Sequence, residues 1–87
     1  MTKKNIAFLA SHGGSNMQAI FDAINNGSLD VNPVVVISNN SKSKAFERAK
    51  QQNVPRHHLS GATHSDPEEL DRAMCDTLNN YNTDLVI

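Results

Sequence analysis

A short apolar run that breaks at two glycines and passes at once into a helical stripe constrains this chain more than any other stretch. Ile6 to Leu9 has no helical period and reads as a strand buried on both faces. Ser11-His12-Gly13-Gly14 interrupts it, and Ser15 or Asn16 is placed to cap the helix that follows. Met17, Ile20, Phe21 and Ile24 then recur at i, i+3, i+4 and i+7, the apolar face of an amphipathic helix. Such a unit sets the unpaired N–H groups and partial positive charge of a helix N-terminus at the end of a buried strand. Glycine there lets the backbone come close to a phosphate. A tight connection that binds nothing would also use glycine, but Gly-Gly-Ser-Asn supplies more donors than a connection needs. Gly13, Gly14, Ser15 and Asn16 are therefore expected to bind a phosphate group.

Two familiar phosphate motifs fit poorly. No Gly-Lys-Ser/Thr follows the glycines, so the Walker pattern is absent. The dinucleotide fingerprint wants a small residue three positions after the second glycine, where Met17 stands. It also wants an acid after the second strand to hold a ribose, and Ser38-Asn39-Asn40 occupies that place. This argues against NAD. Ser41 and Lys42 keep open an NADP reading, in which they would hold the extra phosphate.

The rest of the chain alternates strand and helix. The first helix is expected to end at Asn25-Asn26-Gly27, with Gly27 in the left-handed conformation. Pro33 marks the start of a second strand, Val34 to Ile37, β-branched throughout and apolar on both faces. Residues 38 to 43 form a polar turn, from which Ser41 or Ser43 caps a second helix with Ala45, Phe46 and Ala49 on its apolar face. Asn53 takes the place of glycine at that helix's C-terminus, and Val54 to Leu59 reads as a third strand, with Pro55 pointing to an edge position. Asp66-Pro67-Glu68-Glu69 is a helix start: Asp66 the cap, Pro67 the first helical residue, Glu69 the second half of a capping box. Leu70, Ala73, Met74, Thr77, Leu78 and Tyr81 continue one stripe, Asn79 to Thr83 closes the helix, and Asp84 to Ile87 opens a fourth strand. The order β-α-β-α-β-α-β implies an α/β fold, a Rossmann-like parallel sheet with helices on both faces. Right-handed crossovers give the strand order 3-2-1-4, with the Gly13-Gly14 turn at the switch point between strands one and four.

LASHGGSNMQAI, followed by VVVISNN and AFERAKQQNVP, resembles the glycinamide ribonucleotide formyltransferase family, folate-dependent enzymes of purine synthesis. The first motif is the specific one. In the family a Gly-Ser-Asn turn after the first strand binds the ribonucleotide phosphate, which implies that role for Gly14, Ser15 and Asn16. Ser38-Asn39 and Arg48-Ala49 carry softer parts of the resemblance. It runs from Asn5 to Ile87 but covers only about the N-terminal half of the family's pattern. The co-substrate it implies is 10-formyltetrahydrofolate, with most of that pocket beyond residue 87. The Asn, His and Asp on which formyl transfer relies in the family lie beyond the fourth strand, so no catalytic residue is expected here. Some members carry an Arg at the start of the third helix that reaches the ribonucleotide; Pro67 fills that place. The rivals are a formyltetrahydrofolate hydrolase of similar fold, which would not need the Gly-Ser-Asn turn, and a non-catalytic NADP-binding Rossmann-like module.

Composition narrows the remaining classes. Residues 1–87 are expected to form one small domain, an incomplete N-terminal nucleotide-binding part that stops inside strand four and so leaves an unpaired apolar edge. A net charge of −1 gives no electrostatic reason for a nucleic-acid or anionic-membrane partner. The apolar run after Lys3-Lys4 is too short for a signal-peptide core, and nothing approaches the roughly 20 apolar residues of a membrane span. With one cysteine, Cys75, the chain fits a reducing, cytoplasmic compartment. His12, His57, His58 and His64 have no recognisable ligand spacing, so no metal is expected. His12 alone lies in the proposed turn, as a phosphate donor or an exposed spacer. Cys75 stands beside an apolar stripe without a basic neighbour and is expected to pack. Asp66, Glu68 and Glu69 are accounted for by helix capping and the helix dipole.

Overall fold

The computed structural model describes residues 3–10 and 15–87, with Ser15 described in its backbone alone. Seven elements follow one another: β1 (Lys4–Leu9), α1 (Ser15–Asn25), β2 (Val31–Ser38), α2 (Lys44–Gln51), β3 (Arg56–His58), α3 (Pro67–Asn80) and β4 (Leu85–Val86). The four strands form one parallel sheet in the order β3-β2-β1-β4, the expected topology.

Burial on both faces of the central strands explains their continuous apolar runs. Ile6, Phe8 and Val36 face one side, where Met17 and Phe21 of α1, Ala45 and Ala49 of α2, and Val54 complete a core. The rings of Phe8 and Phe21 meet edge to face, their centroids 5.4 Å apart. Ala7, Val35 and Ile37 face the other side, covered by partly buried Val34, Leu59, Leu78 and Tyr81. The two layers differ in depth. No residue of α3 is fully buried, so the predicted stripe of that helix lies half-covered, and Leu9, Leu85, Val86 and Ile87 stay exposed.

Local chemistry accounts for the boundaries. Gly27 takes φ +84° after α1, and Asn53 does the same work after α2 at φ 58°. Asp66 caps α3 by accepting the Glu68 N–H at 3.0 Å, with Pro67 as first helical residue. The capping box stops there: Glu69 is exposed, and no hydrogen bond from the Asp66 N–H to it forms. Ser43 stands at the cap of α2, yet its hydroxyl makes no cap bond and lies 3.3 Å from the Ser38 hydroxyl instead.

Several expected bounds shift. β1 starts two residues early, at Lys4, and β2 starts at Val31, so Pro33 lies inside a strand. The ladder absorbs the missing N–H with an irregularity: Ile6 pairs Pro33, but Ala7 pairs Val35. β3 first pairs β2 at Val36, past the proline, so Pro33 interrupts only one ladder. β3 itself shortens to Arg56–His58 at the sheet edge, and β4 to Leu85–Val86. Cys75 is exposed rather than packed, because one residue beyond Met74 turns it about 100° round the helix, off the apolar stripe.

Candidate functional site

The carboxyl ends of three strands meet where the chain leaves β1. The Leu9 N–H donates to the Ile87 carbonyl at 2.9 Å, and the Ala10 N–H donates to the Ile37 carbonyl at 3.0 Å. Five residues later α1 begins at Ser15. Of the proposed phosphate residues, Gly13 and Gly14 lie outside the described residues, as does His12. Ser15 is the first residue of α1, and Asn16, expected as an alternative cap, stands exposed within its first turn. Met17, 3% exposed, fixes that turn to the core.

The first N–H groups of any helix have no intrahelical acceptor and carry partial positive charge. In α3 this is answered by Asp66, Glu68 and Glu69. The first turn of α1 contains no acid. Gln18 closes that turn; its Oε1 accepts a bond from Nη1 of Arg48 at 3.1 Å, and its Nε2 donates to Oδ1 of Asp22 at 2.9 Å. Sequence reading did not anticipate the Arg48–Gln18 contact, because the partners stand 30 residues apart on two helices.

A cleft of about 450 Å³ opens over the carboxyl ends of β1, β2 and β3, between the sheet and α3. Leu9, Ile37, Leu59, Leu70 and Met74 form its apolar walls, and Asn39 and Ser60 its polar rim. Ligands of open α/β sheets bind at this end of the strands. A second cleft, about 470 Å³, lies between Lys3, Lys4, Asn32 and Asn82 at the amino ends. Its groups answer one another: the Asn5 N–H donates to Asp84, and Lys3 is 3.2 Å from Asp30.

The serine–histidine pair on the rim does not make a nucleophile. His58 Nε2 lies 3.2 Å from the Asn39 carbonyl, which can only accept, so Nε2 carries the proton. The Ser60 hydroxyl, also 3.2 Å away, therefore faces a donor and not a base. His57 Nε2 lies 3.0 Å from the Tyr81 hydroxyl, joining β3 to the end of α3, and His64 Nδ1 lies 3.0 Å from Thr63. Among the described residues no three His, Cys, Asp or Glu side chains stand together as metal ligands. No helix among them is long and apolar enough to cross a membrane.

The motifs after β2 have separate roles. Ser38 is buried, and its hydroxyl donates to the Asn40 carbonyl and accepts the Asn40 N–H, both at 3.1 Å, which shapes the turn. Ser41 and Lys42, the residues of the NADP reading, are exposed on that turn. Pro67 is exposed at the start of α3.

Comparison with known proteins matches residues 4–87 to the family described as Formyl transferase. A phosphoribosylglycinamide formyltransferase of Haemophilus influenzae is 34% identical over 84 residues, 97% of this chain and 40% of the relative. The crystal structure of glycinamide ribonucleotide transformylase 1 from Symbiobacterium toebii superposes with a TM-score of 0.89 at 32% identity, covering 97% of this chain and 40% of that one. A formyltetrahydrofolate deformylase from Pseudomonas putida shares the fold, with a TM-score of 0.86 at 16% identity, covering 98% of this chain and 29% of that one. The chain thus spans about 40% of the length of the formyltransferases that it matches. Its four-stranded sheet, its helix order and the match across residues 4–87 lead to one conclusion: this chain belongs to the formyl transferase family, as the N-terminal region it shares with phosphoribosylglycinamide formyltransferases.

Proposed function

We propose that this chain is the substrate-phosphate-binding part of a phosphoribosylglycinamide formyltransferase. In the complete enzyme a formyl group passes from 10-formyltetrahydrofolate to the amine of glycinamide ribonucleotide, a step of purine synthesis that we place in the cytoplasm. The observation that carries the reading is the likeness of nearly the whole chain to such an enzyme, together with a Gly-Ser-Asn sequence at the start of α1.

In this reading Gly13 and Gly14 let the backbone approach the phosphate, and the N–H groups of Ser15 and Asn16 donate to its oxygens. Anchoring the phosphate fixes the ribose and swings the substrate amine across the carboxyl ends of β1 and β4. Binding energy from that remote, unreactive group orients the reacting one, and this is how a part without catalytic groups contributes to rate. Transfer needs three further things: a polarised formyl carbonyl, a stabilised tetrahedral oxyanion, and a route for the amine proton. We assign none of them to the described residues near α1. His58 is held as a donor to a backbone carbonyl, and Asp22 already accepts from Gln18. The groups for these steps, and most of the folate pocket, are assigned to the remainder of the enzyme.

The test is an assay with glycinamide ribonucleotide and 10-formyltetrahydrofolate. The 87-residue chain alone should give no turnover. The same chain joined to the C-terminal part of a matching formyltransferase should give it. Turnover by the short chain would overturn the assignment of the chemistry. Hydrolysis of the folate without transfer, in the joined protein, would favour the deformylase reading, and tighter binding of NADP than of ribose 5-phosphate would favour the dinucleotide one.

A further inference from the structure

We propose that Arg48 is a positioning residue for α1, holding the first turn of that helix in place from α2; its functional consequence rests on the phosphate reading above. The guanidinium is partly buried, and its Nη1 donates to Oε1 of Gln18 at 3.1 Å. Gln18 is the fourth residue of α1, at the end of its first turn. Its side-chain amide is engaged at both ends, since Nε2 donates to Asp22 at 2.9 Å. A run of bonds from Arg48 through Gln18 to Asp22 therefore ties α2 to the first two turns of α1. At the other end of the helix pair, Asn25 Nδ2 donates to Oε1 of Gln52 at 3.1 Å. The lower clasp is neutral and exposed; the upper one is charge-assisted and partly buried.

The sign of that charge bears on its purpose. Arg48 stands in the last turn of α2, where a cation is favourable, but the same charge beside the first turn of α1 opposes that helix's dipole. An anion at that helix end reverses the account, since a fixed guanidinium and the free N–H groups then act in the same direction. Arginine suits the task better than lysine because its planar fork fixes the partner's orientation, whereas an ammonium supplies charge without direction.

Arg48→Met and Arg48→Lys separate orientation from charge. Two readouts are needed in the 87-residue chain: amide hydrogen exchange along α1, and affinity for ribose 5-phosphate. The amides of Ala19 and Ile20 report the first turn, because their acceptors are the carbonyls of Ser15 and Asn16. Arg48→Met should speed their exchange at least about tenfold, the loss expected for the charge-assisted bond to Gln18. Ile24 and Asn25, at the far end of the helix, should exchange at the original rate. Ribose 5-phosphate should bind about tenfold more weakly. Arg48→Lys should recover part of that affinity while leaving Ala19 and Ile20 fast. Equal acceleration along all of α1, or none at Ala19 and Ile20, would overturn the proposal. Failure of the unsubstituted chain to bind ribose 5-phosphate would overturn the phosphate reading and Arg48's part in it, and the exchange rates would still decide whether Arg48 orders the turn.

Discussion

Replacing Phe21 with alanine tests whether α1 is held to the sheet as the packing indicates. Phe21 is 1% exposed and meets Phe8 edge to face at 5.4 Å, with an interplanar angle of 67°. Truncating a buried phenylalanine costs about 3–5 kcal/mol, through lost transfer energy and the cavity left behind. Part of this is the aromatic pair itself, about 0.5–1.5 kcal/mol. A chain of this length has a total stability of roughly 4–13 kcal/mol. Phe21→Ala should therefore remove a large share of it. Phe21→Leu, which keeps most of the volume, should cost less than about 1.5 kcal/mol. Urea unfolding followed by far-ultraviolet circular dichroism reads both values, and a cycle combining Phe8→Leu with Phe21→Leu isolates the ring contact. An unchanged m-value, with a loss below about 1 kcal/mol for Phe21→Ala, would refute the packing argument. Such a result would mean that α1 rests on the sheet through Met17, Ile20 and Ile24 instead.

Three other outcomes are expected. Gly14→Val should abolish binding of ribose 5-phosphate in a calorimetric titration, by placing a side chain where the phosphate sits, while the circular dichroism spectrum is kept; undiminished binding would remove Gly14 from the site. Asp66→Ala should lower stability by about 1 kcal/mol through loss of the α3 cap, whereas Glu69→Ala, with no reciprocal bond to lose, should cost less than about 0.5 kcal/mol in the same urea experiment. A chelator should leave the melting temperature and ribose 5-phosphate affinity unchanged, and a clear fall in either would reveal a metal site.

Where local chemistry has a single solution, the fold was legible in the chain. Asp66-Pro67 admits few readings besides a helix start, and Asp66 does cap α3. Asn25-Asn26-Gly27 and Asn53 required left-handed residues after two helices, and Gly27 and Asn53 have positive φ. The strand order followed from chirality, since right-handed crossovers leave little choice for a βαβαβαβ chain. Elements governed by what lies opposite them were less legible. Periodicity marked the α3 stripe correctly, but a period gives a face and not its depth of cover, and that face is only half-buried. Cys75 borders the stripe in sequence yet falls on the solvent side by one residue's rotation. Pro33 argued for a strand start because proline breaks a ladder; the strand instead runs through it, with one register shift.

The candidate site divides along the same line. A strand and a helix N-terminus can be read from contiguous residues, because both are set by local rules; Gly13 and Gly14 between them lie outside the described residues. The clasp on that helix cannot be read in this way. Arg48 and Gln18 come together only because a right-handed crossover lays α2 alongside α1 on the same face of the sheet, and no pattern within either helix announces the pairing. The serine–histidine pair shows the opposite error, in which proximity suggests more chemistry than the geometry allows. His58 and Ser60 are two residues apart and 3.2 Å from each other, yet the Asn39 carbonyl settles the tautomer against proton abstraction. What this region can do is thus set by which donors and acceptors are already engaged. At the carboxyl end of the sheet His58 is engaged, and the first turn of α1 contains no acid. That combination supports the proposal that this region anchors an anionic substrate while the chemistry is supplied by the rest of the enzyme.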